Sequence, residues 1–75
     1  MSDLLDKALE LFKNRKYKEA IDAFQVVLEN EDESAEIYNN IGVSYSNLAD
    51  YKNAETYFNK ALKLNPNLPQ IYLNM

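Results

Sequence analysis

Residues 37–67, IYNNIGVSYSNLADYKNAETYFNKALKLNPN, predict two amphipathic helices joined by a tight turn. Apolar residues recur at steps of three and four along both halves of this stretch, which is the helical period. The turn is expected near Ala49 and Asp50, and Pro66 is expected to end the second helix. Neither helix can bury its apolar face alone, so the pair is expected to stack on neighbouring helices. The inward residues of the first helix are Tyr38, Ile41, Gly42, Tyr45 and Leu48, and those of the second are Tyr51, Ala54, Phe58, Ala61, Leu62 and Leu64.

The same pattern appears a second time when the chain is shifted by 34 residues. The shift places Tyr17 on Tyr51, Ala20 on Ala54, Phe24 on Phe58, Leu28 on Leu62, Ala8 on Gly42, Leu11 on Tyr45, and Tyr38 on Tyr72. A helical hairpin with this period, and with aromatic and small residues in these positions, resembles the tetratricopeptide repeat (TPR) family. The resemblance covers almost the whole chain.

The resemblance implies an all-α fold in which TPR helical hairpins stack as a short right-handed α-solenoid. We expect a single TPR domain at 1–75, with repeat 1 at 1–34, repeat 2 at 35–68, and a partial third repeat or capping helix at 69–75. Helices are expected over 3–14, 16–29 and roughly 51–64. Ser34 is expected to cap the third helix by accepting a backbone N–H.

Three small or unusual residues carry further expectations about the backbone. The family often has glycine where this chain has Arg15 and Ala49. A left-handed backbone there would cost roughly 1–2 kcal/mol, so we expect the turns to avoid it. Gly42 lies in the middle of a helix, where it costs about 1 kcal/mol relative to alanine. That cost predicts a close approach of the paired helix, with Ala54 or Phe58 filling the space.

Composition narrows the classes of function. The chain has no cysteine and no histidine, which removes disulfides, thiolate nucleophiles, imidazole bases and the usual zinc ligands. No nucleophile–base arrangement is visible, so we expect no enzyme activity, no cofactor and no metal. The acidic N-terminal residues do not resemble a signal peptide, and no stretch approaches the ~20 apolar residues of a membrane span. We therefore expect a cytoplasmic protein with no membrane partner, and the net charge of −4 argues against nucleic acid.

Two charged runs have alternative interpretations. The acidic run could attract a divalent cation, but a solvated turn with helix-dipole charges is favoured. The basic run could contact an acidic partner or phosphates, but a solvated turn is again favoured. The acidic run comprises Glu29, Glu31, Asp32, Glu33 and Glu36, and the basic run comprises Lys13, Arg15, Lys16 and Lys18. The aromatic residues in the repeat positions are interpreted as packing groups: Tyr17, Phe24, Tyr38, Tyr45, Tyr51, Phe58 and Tyr72.

The resemblance also implies a concave groove, lined by the first helix of each hairpin, that holds an extended or helical peptide. An alternative remains open for Leu5, Leu9 and Phe12, which could simply pack on the first helix of the next hairpin. A clamp for a C-terminal carboxylate, found in part of the family, is not expected. Its basic positions hold Leu5, Gln70 and Asn74 here, although Asn40 matches a clamp asparagine. The predicted peptide- or partner-binding residues are Leu5, Leu9, Phe12, Glu36, Asn39, Asn40, Val43 and Asn47.

The fourth helix is expected to need cover that 69–75 can give only in part, because stacked repeats generally need three or more units. Either the chain is a fragment of a longer TPR array, or another chain supplies the cover. The first functional hypothesis is therefore a protein–protein interaction scaffold that binds a peptide or partner helix in the groove. The alternative is a structural self-assembly module that forms a homo-oligomer. The predicted self-association residues are Tyr57, Phe58, Ala61, Leu64, Ile71 and Tyr72.

Overall fold

The computed structural model describes residues 3–67, which form four α-helices. The helices are α1 (Asp3–Lys13), α2 (Tyr17–Asn30), α3 (Ala35–Asn47) and α4 (Tyr51–Leu64). Helix α1 packs against α2, α2 against α3, and α3 against α4, so two helical hairpins lie side by side. The all-α hairpin prediction is confirmed, and the bounds of α1, α2 and α4 lie within one residue of those expected. The predicted partial third repeat at 69–75 lies outside the described residues.

Side-chain caps define where the second hairpin's helices begin. The Ser34 hydroxyl accepts a hydrogen bond from the backbone N–H of Ile37 at 3.4 Å, as predicted. At the start of α4 the Asp50 carboxylate accepts from the backbone N–H of Asn53 at 3.3 Å and from its side-chain amide at 2.8 Å. Each cap satisfies a backbone donor that has no partner within its own helix.

Two clusters of buried side chains form the core. The first joins α1, α2 and α3, and the second joins α3 and α4, with Leu28, Tyr45 and Tyr57 packed against both. Burying Phe24 or Phe58 contributes roughly 1.5–3 kcal/mol each by removing the ring from water. The first cluster contains Ala8, Ala20, Ile21, Phe24, Val27, Ile37 and Ile41, and the second contains Ala35, Tyr38, Ala54, Phe58 and Ala61.

The turn within each hairpin adopts the conformation that we expected the chain to avoid. Arg15 has φ 62° and Ala49 has φ 63°, so both are left-handed and that prediction is wrong. Each residue follows a helix that ends in a Schellman motif. Lys16 N–H donates to the Leu11 carbonyl at 2.9 Å, and Arg15 N–H donates to the Phe12 carbonyl at 3.0 Å. These bonds satisfy the last carbonyls of α1, and they offset the steric cost of a non-glycine residue there.

The predicted close approach at Gly42 is confirmed. A Cβ built on this residue would lie 2.7 Å from Cδ1 and Cε1 of Phe58 and 3.2 Å from its Cγ. The Phe58 ring is only 1% exposed, so it cannot swing aside into solvent. Gly42 therefore lets α3 and α4 approach each other across the buried face of Phe58.

Several side chains expected to face inward are exposed, whereas Phe58 and Ala61, which were predicted both to face inward and to take part in self-association, are buried. Tyr51 is 67% exposed, and Leu48 and Leu64 are 45% and 47% exposed. Phe58 and Ala61 instead lie in the core of the second hairpin, so they form no exposed self-association face. The physical reason is that both point toward α3, whose glycine and alanine positions leave room for them. Of the other predicted self-association residues, Tyr57 is half-buried, and Ile71 and Tyr72 lie outside the described residues.

Candidate partner-binding site

A cleft of about 600 Å³ lies between α1 and α3 and is bordered by the α2–α3 connection. Its apolar lining comes from α1 and α3, and its polar lining comes from the end of α2, the connection and α3. The lining residues are Leu5, Leu9, Asn30, Glu31, Asp32, Ser34, Glu36, Ile37 and Asn40. The first helices of the two hairpins therefore share one concave surface.

Helical spacing explains how these side chains come together. Leu5 and Leu9 are four residues apart on α1, so they lie on one face of that helix. Glu36 and Asn40 have the same spacing on α3. Both leucines are half-buried and pack against the first core cluster while they line the cleft. Leu5 and Leu9 therefore both contact the core and form part of the cleft surface, and binding of a peptide there stays a prediction.

The other four predicted groove residues lie elsewhere. Phe12 packs edge-on against Tyr17 and Phe24, with ring centroids 5.9 Å and 6.2 Å away, and so belongs to the first hairpin. Val43 packs against the second core cluster. The Asn47 amide donates to the Val43 carbonyl of its own helix at 2.9 Å.

Asn39 is an unusual polar residue in this region. It is only 7% exposed, and its side-chain oxygen has no hydrogen-bond donor among residues 3–67. An unsatisfied buried acceptor costs roughly 1–3 kcal/mol. Asn39 is not among the residues that line the cleft.

The connection between α2 and α3 contributes to the cleft, which was not predicted from the sequence. Glu31 and Asp32 were expected in a solvated turn, and both are exposed, but they also form one border of the cleft. Their position next to the first turn of α3, which carries Glu36, was a signal that could have identified them. The basic run does not line this cleft, and Arg15 and Lys16 belong to the turn between α1 and α2.

A separate aromatic group on α3 and α4 has a structural role. The ring of Tyr57 stacks on that of Tyr45, with centroids 5.7 Å apart, and its centroid lies 6.0 Å from that of Tyr38. The Gln25 amide donates to the Tyr57 hydroxyl at 2.8 Å, which ties α2 to α4. The Lys60 ammonium lies 5.3 Å from the centroid of Tyr57. The ring contacts hold α3 and α4 together, the Gln25 bond joins the two hairpins, and the rings keep little freedom to act as a ligand cage.

Two tyrosines of this group titrate above their ordinary range. The Tyr38 hydroxyl donates a short hydrogen bond to the Glu33 carboxylate. That bond, with burial and the carboxylate's charge, raises the pKa of Tyr38 to about 12. Burial raises the pKa of Tyr45, with smaller effects from Tyr57 and nearby carboxylates. Both groups are therefore neutral hydrogen-bonding residues at physiological pH.

Two negative observations concern the part of the chain that the structure describes. Within residues 3–67, no three acidic side chains converge in a way that could hold a metal ion. None of the four described helices combines the length and apolar character needed to cross a bilayer.

Comparison with known proteins identifies the second hairpin. The family model described as Tetratricopeptide repeat matches residues 35–68, the stretch that contains α3 and α4. No match is found among curated proteins or among solved structures. The buried small residues and the buried Phe58 occupy the positions that the 34-residue pattern assigned to packing. The chain therefore carries a tetratricopeptide repeat at residues 35–68.

Proposed function

We propose that this chain is a protein-interaction scaffold that binds a peptide or a partner helix in the α1–α3 cleft. Tetratricopeptide repeats are in general protein–protein interaction motifs. The observation that carries the proposal is the combined lining of the cleft, in which Leu5, Leu9 and Ile37 lie beside the amide of Asn40. Apolar side chains with a few polar groups are typical of a binding pocket. The proposed role is one of binding, with no catalytic step.

Asn40 supplies the polar contact in this proposal. It is half-buried and lines the cleft, and its amide can both donate to and accept from a peptide backbone. Its main-chain carbonyl accepts a hydrogen bond from the Ser44 hydroxyl at 2.8 Å, and no described residue bonds to its side-chain amide, which is therefore available to a ligand. An extended segment could therefore place apolar side chains on the leucines while its backbone bonds to Asn40.

We further propose that residues 1–34 form a divergent first repeat. Ala8, Ala20 and Phe24 are fully buried, as are the corresponding core residues of the second hairpin. Repeat 2 would then be 35–68 within a single domain at 1–75. A cytoplasmic location and the absence of nucleic-acid partners stay predictions from the sequence.

A test of the binding role uses selection from a display library of random linear peptides on the full chain. A selected peptide should bind the Asn40→Ala variant more weakly, by roughly three- to tenfold for one lost hydrogen bond. Asn47→Ala is the matched control, because Asn47 is on the same helix but outside the cleft. Equal loss in both variants, or failure to select any peptide, would refute the proposal.

A second candidate function is self-assembly into a homo-oligomer, and the exposure of Leu64 on α4 favours it. Leu64 lies beside Lys63 at a small cleft that also includes Tyr38 and Lys60. Molar mass measured by light scattering over a concentration series tests this function. Assembly predicts a mass that rises with concentration and a Leu64→Glu variant that stays monomeric. A constant monomer mass for the unmodified chain would exclude it.

A further inference from the structure

The border of the α1–α3 cleft is strongly acidic. Glu31, Asp32 and Glu36 all line it, and no lysine or arginine is among the described residues of the lining. A neighbouring cleft on α1 shares Leu9 and adds Asp6 and Glu10, with Lys13 as its one cation among described residues. The acidic surface therefore extends from the α2–α3 connection along α1.

These carboxylates are not neutralised by the rest of the described chain. No described residue forms an ion pair with Glu31, Asp32 or Glu36. Among residues 3–67, the one hydrogen bond to a side chain of this group is from the Ser34 hydroxyl to Glu36 at 3.1 Å. Their charge is therefore available to a molecule in the cleft.

The C-terminal end of α2 also favours positive charge in the cleft. Asn30, the last residue of α2, lines the cleft, and the C-terminal end of a helix attracts positive charge. The N-terminus of α3 has the opposite polarity, but it is capped by Ser34 and faced by Glu36 in its first turn. At the end of α2 the Asn30 amide donates to the Val26 carbonyl at 2.9 Å and the Glu31 N–H to the Val27 carbonyl at 2.8 Å, but the last turn carries no basic residue. No positive side chain of α2 therefore neutralises its negative end.

We infer that the occupant of the cleft is a cationic peptide segment, with one or two large apolar side chains flanked by lysine or arginine. The apolar side chains would lie on Leu5, Leu9 and Ile37, and the basic groups would reach the carboxylates at the border. Electrostatic complementarity of this kind selects partners and speeds association. This inference depends on the proposed function, because it names the class of partner that the same cleft binds.

The test compares the peptides recovered from the display library with the library itself. The inference predicts enrichment of lysine and arginine next to leucine, isoleucine, phenylalanine or methionine. Recovery of acidic or uncharged peptides would overturn the inference and leave the binding role intact. Recovery of no peptide would overturn both.

A neutralised variant tests the carboxylates directly. The triple variant Glu31→Gln, Asp32→Asn and Glu36→Gln should bind a recovered basic peptide about tenfold more weakly, with a smaller salt dependence. The matched control makes the same changes outside the cleft, at Glu19, Asp22 and Glu55. Glu19 matches Glu36 because each lies in the first turn of its helix. An equal loss in both triple variants would mean that net charge alone drives binding, which contradicts the inference.

Discussion

Replacing Gly42 by alanine should destabilise the protein, although alanine is the better helix former. At an exposed helical site this change would gain about 1 kcal/mol. Here the new Cβ would lie 2.7 Å from two ring carbons of Phe58, well inside van der Waals contact. Forcing extra volume into a packed core costs typically 1–3 kcal/mol. The expected net loss is about 1 kcal/mol in the free energy of unfolding, measured by urea titration followed by circular dichroism.

The double variant Gly42→Ala with Phe58→Leu isolates the cause of that loss. Leucine is smaller than phenylalanine, so alanine at 42 should cost less in this background or even stabilise the chain. The control is the reverse substitution, Ala8→Gly, at the equivalent position of the first hairpin, where the alanine is fully buried. It should lose roughly 1–2 kcal/mol through lower helix propensity and the lost burial of the Ala8 methyl group. A single Gly42→Ala variant that is more stable than the unmodified chain would refute the reasoning.

Three further predictions concern the turns and the aromatic group. Arg15→Gly and Ala49→Gly should each raise the free energy of unfolding by about 0.5–1 kcal/mol, because glycine adopts the left-handed backbone without strain; a loss in either variant would contradict this. Tyr57→Phe removes the partner of the Gln25 amide and should cost about 1 kcal/mol of stability. The double variant Gln25→Leu with Tyr57→Phe should recover part of that loss, because no buried amide is left unpaired. If the losses of the two single variants simply add in the double variant, the hydrogen bond does not contribute. Folding raises the pKa of Tyr38 from 10.0 to about 12, so the stability that this group contributes is full below pH 10 and is lost as pH rises toward 12. Between pH 10 and 12 the urea midpoint of the Tyr38→Phe variant should therefore fall less than that of the unmodified chain. An identical fall in both chains would show that ionisation of Tyr38 does not affect stability.

Helical periodicity was enough to predict all four helices, because each carries an apolar face with a step of three or four. The approach of α3 to α4 at Gly42 was also predictable, since a mid-helix glycine needs a packing reason. These features depend on local spacing and on residue volume, both of which are written directly in the sequence.

The exposure of Tyr51 shows where the repeat pattern misleads. In the first hairpin the corresponding Tyr17 packs against the ring of Phe12 at 5.9 Å. The residue that corresponds to Phe12 in the second hairpin is Ser46, which offers no ring, and Tyr51 is 67% exposed. Burial of a side chain thus depended on a partner elsewhere in the hairpin, which the repeat position alone does not specify.

The left-handed turns and the acidic border were missed for a related reason. The backbone at Arg15 and Ala49 is set by the hydrogen bonds that end the preceding helix, and these outweigh the local preference of the residue. Glu31 and Asp32 belong to a connection whose composition indicates solvent exposure. Only the packing of α1 beside α3 makes them part of a cleft.

The most direct test of the account is nuclear magnetic resonance of the isotope-labelled full chain, titrated with a basic peptide recovered from the display library. Binding in the α1–α3 cleft predicts chemical-shift changes concentrated at Leu5, Leu9, Ile37 and Asn40, with none at Leu64. Changes confined to Leu64 and the exposed face of α4, with the cleft signals unmoved, would contradict it.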